Sequence, residues 1–188
     1  MQNKMMTRSR MFFFVQLLTF SRLPLAIIFG AVLILLENAT IGFALCLVTL
    51  IMIELSDVLD GMLSRRTGSV SKGGAILDPF FDSVSRLIVY ATMAYVGLVL
   101  ALVPLIMALR DITVAYARMF LIMNKRSASA RISGKMKAVF QGTGSIVLIL
   151  LALLGNREEI INLVVSWVII GVTAVSAFEY VRAAFSSE

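Results

Sequence analysis

Four aspartates lie within a 26-residue stretch: Asp57, Asp60, Asp78 and Asp82. The first two are three residues apart and the second two are four apart. On a helix, either spacing puts both side chains on one face. The stretch between the pairs is short, so their helices are expected to be adjacent and antiparallel. All four carboxylates can then converge at one depth. Carboxylates crowded in this way repel one another. Arg65 and Arg86 can offset part of that repulsion, and one or two divalent cations would offset more. The chain has no His and a single Cys, Cys46. A metal site here is therefore built from oxygen alone, which suits a hard ion, Mg²⁺ or Mn²⁺. Such ions, held by carboxylates, usually hold phosphates on their open side. Two of them can clamp the attacking and leaving oxygens of a displacement at phosphorus. Two other readings of the same residues stay open: a buried charge network with a structural role, and a divalent-cation transporter.

The elements that carry these residues read as membrane helices. Of 188 residues, 60% are hydrophobic and 15% charged, and the mean hydropathy is +0.96. Soluble domains carry about 45–50% apolar and about 25% charged residues. A soluble enzyme, a disordered tail and a free nucleic-acid-binding module are excluded. The net charge of +6 is gathered in clumps: Lys4, Arg8 and Arg10; Arg65, Arg66 and Lys72; Lys125, Arg126, Arg131, Lys135 and Lys137; and Arg182. Basic clumps beside long apolar stretches read as cytoplasmic loops, so no nucleic-acid partner is expected.

Counting apolar stretches of about 20 residues gives six spans in one domain, 1–188: about 11–36, 39–63, 75–97, 102–124, 138–156 and 160–182. Gly97 and Pro104 bracket one turn; Gly155 and Asn156 open another. With the N-terminus inside, the inner segments, counting Arg182 at the inner end of the last span with the tail, hold twelve of the 17 basic residues and the outer turns only Arg157. The expected fold is therefore an all-α integral membrane bundle of six transmembrane helices, both termini cytoplasmic. Residues 3–15 mix basic and bulky apolar side chains. They suit an N-terminal interfacial helix or a flanking anchor equally. No targeting signal is recognisable, which points to a bacterial inner (plasma) membrane with the active site facing the cytoplasm.

The run Asp57-Val-Leu-Asp60-Gly61-Met-Leu-Ser64-Arg65, then eight residues, then Gly74-Ala-Ile-Leu-Asp78-Pro-Phe-Phe-Asp82, resembles the signature of the CDP-alcohol phosphotransferases. Ser64 stands where that signature usually has Ala. The resemblance implies transfer of a phosphate-bearing group from a CDP-linked donor to an alcohol, with release of CMP and a need for Mg²⁺ or Mn²⁺. It implies that Asp57, Asp60 and Asp78 ligate metal. Asp82 would be a metal ligand, the base for the acceptor hydroxyl, or both. Gly61 and Gly74 would let the nucleotide approach the backbone, and Arg65 would bind its diphosphate. It also implies a homodimer, a frequent state in the family.

Further stretches are similar to the bacterial phosphatidylglycerolphosphate synthases within that family. They are Gln16-Leu-Leu-Thr19-Phe-Ser-Arg22, Leu77-Asp78-Pro79, Arg110-Asp111-Ile112 with Arg118, and Gly134-Lys135-Met136-Lys137 with Gln141. Ser83 stands where those synthases usually carry Lys. This likeness implies CDP-diacylglycerol as donor and glycerol-3-phosphate as acceptor, in phospholipid biosynthesis. Inositol phosphate or another polyol phosphate is the alternative acceptor. Arg110, Arg118, Lys135 and Lys137 are the candidates to bind it, and ordinary positive-inside charge also accounts for Lys135 and Lys137. At 1.5 Å per residue Arg110 lies roughly 22 Å from the cytoplasmic end of its helix, which equally suits a buried pair with Glu54 or Asp111. Asp111 and Arg118, seven residues apart, can partly neutralise each other. Arg22 is a further partner for such a network.

Overall fold

The computed structural model describes residues 2–36, 39–67, 74–123 and 132–185, with side chains at 17–36, 39–59, 62, 78–123 and 132–185. The described residues form six helices: α1 (Gln2–Leu35), α2 (Thr40–Thr67), α3 (Gly74–Tyr95), α4 (Leu102–Met123), α5 (Ile132–Leu153) and α6 (Glu159–Phe185). No strand occurs among them. The chain divides into two compact units, Met1–Val89 and Tyr90–Glu188.

In the N-terminal unit α1 packs on α2. The buried apolar residues are Ala26, Phe29 and Leu33 on α1 and Phe43, Cys46, Leu50 and Ile53 on α2. Their steps of three and four residues make one stripe per helix, which is the condition for two helices to bury a seam. The Cys46 thiol donates to the Phe29 carbonyl at 3.8 Å within that seam. α1 is one helix of 34 residues, so residues 3–15 are helical and run without a break into the apolar segment Leu17–Leu35.

In the C-terminal unit α6 packs on both α4 and α5. Its buried face is Ser166, Ile169, Thr173, Ser176, Tyr180 and Ala184. Most of that stripe is hydroxylic, while large side chains such as Trp167, Val175 and Phe178 face outward. Polar groups inside and apolar groups outside is the distribution that hydrocarbon selects. Both helix ends that precede tight turns close in the same way. Leu98 N–H donates to the Met93 carbonyl and Gly97 N–H to Ala94, at 2.9 and 3.1 Å. Asn156 and Gly155 repeat the pattern on Leu151 and Ala152. This motif places its C′ residue in the left-handed region, and Gly97 and Gly155 have φ of 77° and 80°. Pro104 falls in the first turn of α4, where a missing N–H leaves no bond unmade. Ser166 Oγ accepts from Leu100 N–H at 3.1 Å, which ties the α3–α4 turn to α6.

Among the described residues, four helices are long and apolar enough to cross a membrane: Leu17–Leu35 of α1, Thr40–Leu59 of α2, α5 and α6. The chain is thus an integral membrane protein with an all-helical fold. α3 and α4 match these in length, 22 residues each, but each carries three charged side chains. α5 begins at Ile132, so Lys135 and Lys137 lie on its first two turns.

Substituting Gly97 or Gly155 by Val forces a side chain into the left-handed region at a cost of about 1–2 kcal/mol. A Cβ on Gly171 meets nothing within 4 Å. Thermal unfolding in detergent is expected to fall for Gly97→Val and Gly155→Val and to be unchanged or raised for Gly171→Ala.

Candidate active site

The N-terminal unit brings acidic side chains from α2 and α3 against cations from α1 and α3. Arg22 on α1 pairs with Asp57 on α2, Nη1 to Oδ1, at 2.8 Å. The arginine side chain is 3% exposed and the aspartate 41%, so the pair is open on its carboxylate side. One turn before Arg22 on the same face, Thr19 donates its hydroxyl to Asp78 on α3 at 3.3 Å. Thr19 and Arg22 therefore reach carboxylates from two helices. Edge-to-face packing of Phe20 and Phe81 at 4.7 Å fixes α1 against α3 beside them.

Arg86 on α3 is the second organiser. Its Nη1 and Nη2 donate to the two oxygens of Glu54 at 2.8 and 3.4 Å, and its Nε donates to Asp82 at 3.0 Å. A guanidinium offers this fork in a fixed plane, which an ammonium cannot. The planar fork thereby sets the direction of the Asp82 carboxylate. The i,i+4 step from Asp82 to Arg86 is the local reason that they meet.

Asp60, Gly61 and Arg65 lie in the C-terminal part of α2 and Gly74 opens α3; their side-chain positions lie outside the described residues. Among the described side chains no three metal-ligating groups gather closely enough to hold an ion. The donors are nonetheless of the right kind. Asp57, Asp78 and Asp82 offer only oxygen, none is fully buried, and no softer ligand competes.

The C-terminal unit holds a second polar cluster. Asp111 Oδ1 accepts from Arg110 and from Lys137, both at 2.8 Å. Arg110 also donates to Ser176 Oγ at 2.8 Å. Arg118 donates to the Tyr180 hydroxyl at 3.0 Å, and not to Asp111, correcting the expected neutralisation of that pair. In the N-terminal unit Arg22 pairs with Asp57 and Glu54 with Arg86. Gln141 donates to Thr173 at 3.1 Å, and the Tyr90 hydroxyl donates to the Gln141 carbonyl at 2.5 Å. Two cations thus share the Asp111 carboxylate, and among the described residues the Nε atoms of Arg110 and Arg118 and Asp111 Oδ2 have no hydrogen-bond partner. Lys135 lies on the exposed side of α5, apart from this group. Thr19, Ser176 and Tyr180 were not among the expected site residues. For α6 the signal was its hydroxyl groups, recurring on one stripe of an apolar helix.

Each unit is built of apolar helices that turn carboxylates and arginines inward, the mark of a membrane protein that keeps charge within its helices. Residues 12–177 match the CDP-alcohol phosphatidyltransferase family. That is most of the chain and includes parts of both units, and the chain belongs to this family. Its class of activity is phosphatidyl transfer from a CDP-alcohol. No curated protein matches the chain.

Removing Arg86 leaves Glu54 and Asp82 facing each other without a counterion. The Arg86→Met variant is expected to lose about 3 kcal/mol, at the low end for a broken buried pair because both carboxylates keep some exposure. Glu54→Gln added to it should restore part of that loss. Thermal unfolding of the two variants in detergent checks both.

Proposed function

We propose that the protein transfers the phosphatidyl group of CDP-diacylglycerol to glycerol-3-phosphate, releasing CMP, in phospholipid biosynthesis. The observation that carries this reading is the cationic excess of the C-terminal cluster. Among the described residues Arg110 and Lys137 share one carboxylate, Asp111, and Arg118 bonds to the neutral Tyr180 hydroxyl, in a mostly buried setting. A buried guanidinium that bonds only to a neutral hydroxyl, as Arg118 does, is costly unless an anion joins it. A phosphate monoester is that anion, and Arg110 and Arg118 still have donors to offer it. Lys135 is the outermost candidate and would act on approach rather than in contact.

In the N-terminal unit Asp57, Asp60 and Asp78, with Asp82, would hold Mg²⁺ or Mn²⁺, two ions in the reading we favour. The metal would neutralise the diphosphate and stabilise charge at the reacting phosphorus. Arg65 would bind the nucleotide diphosphate, with Gly61 and Gly74 giving it room at the backbone. Asp82, aimed by Arg86, takes the proton of the acceptor hydroxyl. The hydroxyl oxygen forms a bond to the phosphorus that carries diacylglycerol. The bond from that phosphorus to the bridging oxygen breaks, and CMP leaves with the electron pair. Positioning and charge do most of this work, as in phosphoryl transfer generally.

Inositol phosphate or another polyol phosphate would satisfy the same cations, and Ser83 in place of Lys keeps that acceptor in view. A divalent-cation transporter would not need the family's pattern over residues 12–177. The match supports one domain with all six helices crossing. Positive charge on the inner segments supports cytoplasmic termini and a cytoplasmic site, in a bacterial inner membrane. A homodimer completes the proposal.

Purified protein supplied with CDP-diacylglycerol, Mg²⁺ or Mn²⁺ and a panel of acceptors should release CMP most rapidly with glycerol-3-phosphate. Chelation of the metal should stop it. Asp57→Asn and Asp82→Asn should each lower the rate by about a hundredfold or more while the protein stays folded. Full activity in either folded variant would sink the assignment.

A further inference from the structure

Arg110 and Arg118 are eight residues apart on α4, about 12 Å along a helix axis. Side chains so separated do not meet at one small anion unless something draws them together. Tyr180 on α6 occupies that position. Its ring lies 5.5 Å from the Arg110 guanidinium carbon and 5.2 Å from that of Arg118. Its hydroxyl takes the Arg118 hydrogen bond at 3.0 Å. The side chain is among the most deeply buried in the protein, 1% exposed. Gly134 closes over it from α5. A Cβ there would touch the Tyr180 hydroxyl at 3.4 Å and the Arg110 Nη2 at 3.5 Å.

Two guanidiniums beside one ring repel each other, and Asp111 contacts only Arg110 of the two. The negative face of an aromatic ring offsets part of such repulsion without adding a formal charge. A carboxylate at position 180 would do so more strongly, but it would also cancel the charge that an incoming anion needs. Tyrosine is thus suited to a site that must hold two cations close and leave them positive.

We propose that Tyr180 is a positioning residue: it draws Arg110 and Arg118 together so that both engage the phosphate of the acceptor. This rests on the reading of the C-terminal cluster as the acceptor site. Tyr180 acts through the arginines and takes no part in proton or phosphoryl transfer. Its hydroxyl fixes one guanidinium and its ring spaces both.

Binding of glycerol-3-phosphate to the full-length protein in detergent, followed by calorimetry, tests this without requiring turnover. Tyr180→Phe keeps the ring and loses the hydroxyl. It should weaken glycerol-3-phosphate binding by about tenfold, the scale of one hydrogen bond to a charged group. Tyr180→Leu loses both and should weaken it by about a hundredfold. Affinity for CMP in the presence of Mg²⁺ should stay within twofold in both variants, which a general structural defect would not allow. Equal acceptor affinity in wild type and Tyr180→Phe overturns the proposal, and so does an equal loss of CMP binding in that variant. Should Tyr180→Leu not fold, the Phe variant decides alone. The expected binding pattern without any CMP release would count against the transfer reaction and leave the role of Tyr180 standing.

Discussion

Hydrocarbon does not solvate ions, and the organisation of this protein follows from that. A charged side chain within a membrane helix is stable only beside a partner or in water. Described ion pairs in the helices answer this demand: Arg22 with Asp57, Arg86 with Glu54 and Asp82, and Asp111 with Arg110 and Lys137. The pairs do more than neutralise. Arg22 joins α1 to α2, Arg86 joins α3 to α2, and Lys137 joins α5 to α4. In a bundle whose outer surface is apolar, these inward polar contacts specify which helix face turns in.

The two clusters differ in balance, and that difference carries the functional reading. The described cluster of the N-terminal unit sets Glu54, Asp57, Asp78 and Asp82 against Arg22 and Arg86, an excess of carboxylates. The C-terminal cluster around Asp111 is rich in cations. One suits metal and nucleotide diphosphate through oxygen ligands; the other suits an anionic acceptor. A reaction that joins a CDP-linked lipid to a phosphorylated alcohol needs both kinds of surface. Arginine is apt on both sides, since its fork can hold a carboxylate in place as readily as a phosphate.

Much of this was legible in sequence because membrane helices obey simple length and charge rules. Six helices were readable from apolar runs, and Gly97 and Gly155 marked their turns because few other residues accept a positive φ there. Partner choice was less legible. Arg86 could be assigned to Asp82 from the i,i+4 step, but its pairing with Glu54, 32 residues away, depends on how α2 and α3 pack. Arg118 lies two turns from Asp111 along α4, so facing the same stripe did not bring them together. Tyr180 supplied the partner instead, and nothing local to α4 could reveal a residue on α6. The pairing of Lys137 with Asp111, 26 residues away, was not legible either, because it depends on how α5 meets α4.

The central claim is that the phosphorus bearing diacylglycerol moves to the acceptor. Following that atom tests it most directly. CDP-diacylglycerol labelled at the phosphorus nearest the lipid is incubated with the purified protein, metal and glycerol-3-phosphate. The expected result is label in a new phospholipid and unlabelled CMP in equal amount. Label recovered in the nucleotide, or as inorganic phosphate, would contradict the claim.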